Sequence, residues 1–467
     1  MSILLFVLCL IPPILIALLL SQAKKRRNKV ITAVLYATLI HEVCLVTYPI
    51  LHSIATDFSF EKSMAISISA NDLIKVMLGE SIYVLMFCLV LILGLGMRKS
   101  WRKNETIVSG DSVFIPKTEY NVLGFLIILG GFLFATQLLL VGTGIKNNVV
   151  KQFYELMTGA FFSITPLIAS AILITKKQSF RKYPILSTFA IICLISLVIN
   201  GLLLGLRGRV MWVISFIAIA GYFNSRRKYL IISVLLLVAF IPLFSFLGGQ
   251  QFRSMVAETI NTPGGGTFNL IKLFIEQRKA TAIDDNQNMT FLDSLAQRAQ
   301  GPRNSVVLYN LYEENSGGGL SIYLGSVLFP LPRIIWPEKP IPGSLDSNPE
   351  NSAVYIVMNI GHNLPYMGPI LASAHAYWEG GWFTLILYGL LTGLLWLWIF
   401  VFCSKLPEHI AWIIALSFLA SLLIDGFLTA LYPLYTYILI AWKYVMPTLV
   451  LYGAFKIFKS ASYIRRA

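Results

Sequence analysis

Charge is scarce in this chain. Only 13% of its 467 residues are Asp, Glu, Lys or Arg, about half of what a soluble domain carries. Acids are the rarer sign, 22 against 37 Lys and Arg, and the formal net charge is +15. Cysteine is rarer still: five residues, at 9, 44, 88, 193 and 403, all within or beside long apolar runs. That placement excludes a disulfide framework in the long polar insertion and reads as small hydrophobes in helix packing. There is no His-Glu-x-x-His run, no Cys pair and no carboxylate at ligand spacing from a His, so no metal is expected. No phosphate-cradling Gly-Lys-Ser/Thr loop occurs, so no nucleotide cofactor is expected. No nucleic-acid-binding motif accompanies the positive charge. A cation-first leader is missing too. Lys24 to Arg27 follow the first apolar run, so residues 1–20 read as a retained helix rather than a cleaved signal.

What the chain has is long apolar runs, and 57% of it is hydrophobic. A run of about 20 apolar residues crosses the hydrocarbon core. Eleven such segments are expected, near 3–20, 30–52, 73–96, 121–142, 154–175, 185–206, 209–223, 229–247, 381–403, 410–428 and 434–457. They should be helices, because a segment in lipid must satisfy its own backbone. The fold class expected is therefore an all-α polytopic membrane protein.

The cations fix an orientation. Every second connection is dense in them: Lys24-Lys25-Arg26-Arg27, Arg98-Lys99 with Arg102-Lys103, Lys176-Lys177 with Arg181-Lys182, Arg226-Arg227-Lys228, Lys405, and the tail with Lys456, Lys459, Arg465 and Arg466. By the positive-inside rule the N-terminus lies outside and the C-terminus in the cytoplasm. The excess charge then sits beside anionic lipid head groups. Helices one to eight occupy 1–247, a large extracytoplasmic loop 248–380, and helices nine to eleven with a cytoplasmic tail 381–467.

The long loop carries eight Lys and Arg against eleven Asp and Glu, a net −3. It is broken by Gly248-Gly249, Gly264-Gly265-Gly266 and Gly317-Gly318-Gly319, then by prolines from Pro330 to Pro349. Short amphipathic helices are expected between these breaks, around Phe268–Ile275 and Phe291–Ala299. Residues 366–380 are apolar, end in Gly380-Gly381, and read as re-entrant. Arg298, Arg303, Arg333, His362 and His375 are the loop residues with chemistry to offer.

One pair of cations breaks the alternation. Arg207-Gly208-Arg209 lies at a hairpin tip on the outer side. The helix that follows it is short, which draws both guanidinia below the membrane surface, where charge needs a polar cavity or a partner. The helix N-terminus adds its free N–H groups and positive dipole end. Two guanidinia there suit a diphosphate; two interfacial arginines anchoring the hairpin are the plainer reading. Five further charges, His41, Glu42, Glu80, Asp425 and Lys443, fall inside expected spans. They are either functional or neutralised packing pairs such as Glu42 with Lys443.

The Leu206-Arg207-Gly208-Arg209 hairpin, the large loop, the Pro330–Pro340 stretch with Trp336-Pro337, and the segment from Gly361-His362 to Gly380-Gly381 together resemble the Wzy-type oligosaccharide repeat-unit polymerases of bacterial envelope glycans. The motifs cover about 185–222 and 325–395. Many relatives carry a Glu near the position where this chain has Ala374-His375. The resemblance implies a glycosyltransferase of the cytoplasmic membrane that joins polyprenyl-diphosphate-linked oligosaccharides and releases polyprenyl diphosphate. It implies no cofactor and no metal: Arg207 and Arg209, with Arg298, Arg303 or Arg333, would bind the diphosphate. His362, or else His375, would be the base. Membrane lipids, a flippase and a chain-length regulator of the same pathway are the implied partners, with no nucleic acid. A lipid-linked glycan ligase and a glycan transporter or flippase are the alternatives; a transporter should show internal repeats, and none is visible.

Overall fold

A computed structural model describes residues 2–25, 29–56, 68–97, 165–175, 183–203, 207–223, 301–314, 370–405 and 434–441, with isolated positions at 124, 127–128, 228–229, 231–233, 235–236, 327, 430–431 and 453. Among the described residues every regular element is a helix. In chain order these are α1 (Ser2–Lys25), α2 (Lys29–His41), a π-helical turn (Glu42–Thr47), α3 (Tyr48–Ala55), α4 (Ala70–Met97), α5 (Thr165–Thr175), α6 (Pro184–Leu203), α7 (Arg207–Phe223), α8 (Gly301–Glu313), α9 (Ala372–Lys405) and α10 (Leu434–Ile440).

Among the described residues, four stretches are long and apolar enough to cross a bilayer: Ile3–Lys25, Val34–Ala55, Ala70–Gly94 and Ala372–Val401. Their outward faces carry large hydrophobes, among them Ile3, Leu18, Phe383 and Trp398. Such faces suit lipid, which cannot hydrogen-bond a polar group. The chain is a helical membrane protein. The spans expected near 3–20, 30–52, 73–96 and 381–403 coincide with these four. That near 410–428 lies outside the described residues, and those near 121–142, 229–247 and 434–457 are described only in part.

The chain forms two compact units. The first takes residues 1–111, 289–406 and 428–439. Its axis is α4 packed along α9. Gly389 and Gly393 on α9 form a Gly-x-x-x-Gly pair that lets the backbones meet. A Cβ at Gly389 would lie 2.8 Å from the Tyr83 carbonyl oxygen, and one at Gly393 2.9 Å from that of Phe87. Small residues make this approach possible, and in lipid close packing is what drives helices together. α1 closes the other side of α4: Ser81 Oγ, which donates one turn back to Met77 O, also lies 3.2 Å from Leu8 O.

Two irregularities shape this unit. The first is the π-helical turn. Pro49 lacks an N–H and its ring crowds the carbonyl four residues earlier. The helix widens over Glu42–Thr47 just before it, as single π turns do inside α-helices. The second is the break in α9 at Gly380 and Gly381. Gly381 has φ 69° and ψ −150°, a conformation essentially restricted to glycine. Thr384 Oγ1 lies 2.5 Å from Ala376 O and 3.0 Å from Gly381 O, so its proton serves carbonyls that the break frees. Of the segment 366–380, residues 372–379 form a short helix that ends at this break, and 366–369 lie outside the described residues.

The second unit takes residues 112–288, 407–427 and 440–467. Its described part is α5, α6 and α7, each packed against the other two.

Candidate functional site

The buried polar groups of the first unit gather where α2, α3, α4, α8 and α9 meet. α8 is the element that sequence reading missed. It starts at Gly301-Pro302, and a proline in the first turn loses no hydrogen bond there. All residues from Gly301 to Tyr309 are buried. Arg303 is among them, 2% exposed, and its Nη2 donates to Ser53 Oγ at 3.0 Å. Ser53 in turn donates to Pro49 O at 2.8 Å. Ser305 Oγ donates to Gly301 O and accepts from Leu371 N–H at 3.0 Å, which ties the start of α8 to the start of α9. Arg303 is therefore no solvated loop arginine. Its connection folds back into the helical body.

Tyr309 locks the other end of α8. Its ring stacks on Tyr377 with centroids 4.0 Å apart and planes 12° apart. Its hydroxyl occupies the space of a missing side chain, because a Cβ at Gly79 would lie 1.8 Å from it. That hydroxyl is buried without a hydrogen-bond partner among the described residues. Burial pushes its phenol well above the ordinary value.

The placement of His375 is corrected. It is not a loop residue: α9 starts at Ala372, and His375 sits in its first turn, 5% exposed. The reason is the apolar run Leu371–Trp378, which is buried along its length and can satisfy its backbone there only as helix. The His375 ring meets the edge of Tyr435 at 5.9 Å, and its Nδ1 has no partner among the described residues.

A second cluster holds the carboxyls. Glu42 begins the π-helical turn and is fully buried; His41 Nδ1 lies 3.2 Å from its Oε1. Its Oε2 has no partner among the described residues. Glu80 on α4 is 1% exposed and accepts a very short hydrogen bond from Ser373 Oγ on α9. The two carboxyls lie within electrostatic reach of each other. Among the described residues, no group of three or more His, Cys, Asp or Glu is arranged to hold a metal ion.

The other expected residues fare as follows. α7 begins at Arg207, so the helix N-terminus falls where the hairpin reading put it. Its 17 residues span about 26 Å, short of a core of about 30 Å. The side chains of Arg207 and Arg209 lie outside the described residues, as do Arg298, Arg333, His362, Asp425 and Lys443 altogether. Of the seven candidates, Arg303 and His375 are brought to one buried body; Ser53, Ser373 and Tyr309 were not foreseen. The proline at the head of α8 and the Gly-x-x-x-Gly spacing are the signals that could have found their elements. Comparisons with protein families, with characterised proteins and with solved structures find no match.

Proposed function

We propose that the chain is an oligosaccharide repeat-unit polymerase of the bacterial cytoplasmic membrane, working on polyprenyl-diphosphate-linked glycans at the outer face. The observation that carries this reading is Arg303. A guanidinium from the longest connection of the chain is buried in the helical body and held by Ser53. A guanidinium can meet a diphosphate leaving group with parallel charge-assisted hydrogen bonds, and positive charge placed where that group's own charge develops lowers the barrier. Arg207, at the head of a short apolar helix, and Arg209 offer the same chemistry. His375, whose Nδ1 has no partner among the described residues, would take the proton of the acceptor hydroxyl in this reading; His362 is the other base. The finer topology belongs to the same proposal: eleven spans, the N-terminus outside, the loop 248–380 outside and the tail in the cytoplasm.

The test uses the purified full chain in liposomes with lipid-linked repeat units. The expected product is a ladder of polymer with release of polyprenyl diphosphate, in EDTA as in magnesium. Arg303→Ala and Arg207→Ala should each remove the ladder. A normal ladder from both variants overturns the arginine assignment, and no ladder from the wild type overturns the reaction. The buried Glu42, Glu80 and His41 favour a second reading, a transporter of lipid-linked glycan. That protein would move the substrate across the liposome membrane and form no glycosidic bond.

A further inference from the structure

Four aromatic rings gather at the break in α9. Tyr309 stacks on Tyr377 with centroids 4.0 Å apart, and Trp382 lies 5.1 Å from Tyr377 and 6.4 Å from Tyr309. Those three lengths make a nearly right-angled triangle, so Trp382 stands beside the tyrosine stack rather than on it. Its plane is turned 78° and 69° to theirs. A ring held crosswise to the edges of its neighbours keeps a face to offer, and Trp382 is 38% exposed. Tyr312 braces the same place. It meets Tyr377 edge-on at 5.0 Å, and its hydroxyl lies 2.7 Å from where a Cβ on Gly381 would be. The glycine-only conformation of Gly381 turns the chain so that the next residue meets the stack.

An ion pair lies one turn away. Gly79 on α4 leaves room for Tyr309 on α8. One turn further along both helices, Lys75 Nζ donates to the two Glu313 carboxylate oxygens at 2.8 and 3.0 Å, with both side chains 44% exposed. That is about 5 Å from the Tyr309 contact. Beyond it Ser69 and Asp72 cap the start of α4 at exposed positions. The rings therefore sit where the apolar body meets water, on the outer face in the topology proposed above.

On the glycan reading above, on which this rests, we propose that Trp382 and the Lys75–Glu313 pair bind a sugar ring of the lipid-linked glycan. The face of an indole is electron-rich. A pyranose shows it a face of C–H bonds with slight positive charge and lies flat on it. The sugar hydroxyls both donate and accept. Lys75 donates and Glu313 accepts, each through charge-assisted hydrogen bonds. An aromatic surface with a few fixed polar groups beside it suits such a ligand. A tryptophan that only anchors a helix at the membrane interface needs neither the tyrosine brace nor the flanking pair.

The experiment is saturation-transfer NMR on the full chain in lipid nanodiscs. The probe is the oligosaccharide repeat unit freed of its diphosphate lipid. The wild type should saturate the C–H protons of one sugar. Trp382→Ala should weaken binding about tenfold, Trp382→Phe less, and Glu313→Gln about threefold. Phe383→Ala, at a neighbour 75% exposed, should bind as the wild type does. Should Trp382→Ala fail to fold, Trp382→Phe and Glu313→Gln carry the test. The polymer ladder is scored separately in liposomes. Binding without a ladder supports the sugar site and overturns the reaction. A ladder without binding by the wild type overturns the sugar site and leaves the reaction standing. Wild-type binding by the Trp382 and Glu313 variants overturns the site and makes Trp382 a membrane anchor. Equal losses from Trp382→Ala and Phe383→Ala overturn it as well.

Discussion

Among the described residues the two helical units use their hydroxyl groups in different measure. In the second, Thr175 Oγ1 donates to Ala171 O at 2.8 Å and Thr188 to Pro184 O at 3.0 Å, each one turn back in its own helix, and Tyr229 crosses to Ile174 O at 2.9 Å. In the first, Ser53, Ser81 and Ser305 also bond one turn back, but more hydroxyls reach across elements. Thr47 donates to Cys9 O at 2.9 Å, Tyr83 meets Thr392 at 2.7 Å between α4 and α9, and Thr38 accepts from the Ala430 N–H at 2.9 Å. A hydroxyl bonded within its own helix is satisfied and fixes nothing else. One that crosses fixes the register of two helices. In lipid, where apolar contact alone gives little reason for helices to associate, this is a means of holding positions. Arg303, Glu42, Glu80 and His375 all lie in the unit that is stitched this way.

The largest effect should come from the seam that holds the first unit together. Gly389→Val or Gly393→Val drives a side chain into the α4 backbone, which approaches within 2.9 Å of the added atom. A loss of about 3 kcal/mol is expected, read as loss of folded monomer in a denaturing-detergent titration. Ile195→Val in the second unit, at a side chain 52% exposed, should leave the same titration unmoved. A tolerant Gly393→Val would mean that the seam does not hold the unit.

Next is Arg303. Its replacement by Ala should cut polymer formation by about 100-fold or more while the protein still inserts. Lys should restore it only in part, because a point charge does not reproduce the forked contact. Comparison with Arg207→Ala sharpens the contrast between the units. Equal losses mean that the reaction needs both arginines. A loss from Arg207→Ala alone makes Arg303 a packing residue.

Smaller again is Thr38→Val, which leaves the buried Ala430 N–H without its acceptor and should cost about 1–2 kcal/mol. Thr188→Val, the counterpart in the second unit, should cost less than about 0.5 kcal/mol, since a bond within its own helix is lost. Equal costs for the two would erase the distinction between stitched and unstitched helices.

How far the sequence could be read follows from these same residues. The apolar runs at 3–20, 30–52, 73–96 and 381–403 became helices within a few residues at most ends, because length and hydropathy are local properties and lipid leaves the backbone no alternative. The start of α7 at Arg207 was legible for the same reason. α8 was not. Its Gly301–Glu313 stretch has a polar head and sits among glycine breaks, so nothing local distinguishes a buried helix from a surface loop. Its burial depends on Gly79 leaving room for Tyr309 and on Ser305 meeting Leu371 N–H, partners that lie far off in the chain.

The sequence by itself determined that this is a helical membrane protein, where its longest helices run, and which charges sit inside them. Hydropathy and helical length decide those matters without reference to any partner. Only the tertiary structure decided what those charges meet: Glu42 with His41 and near Glu80, Glu80 with Ser373, Arg303 with Ser53, and His375 in a helix rather than a loop. Such pairings follow from how helices from distant parts of the chain pack and in what register, and no local pattern records that.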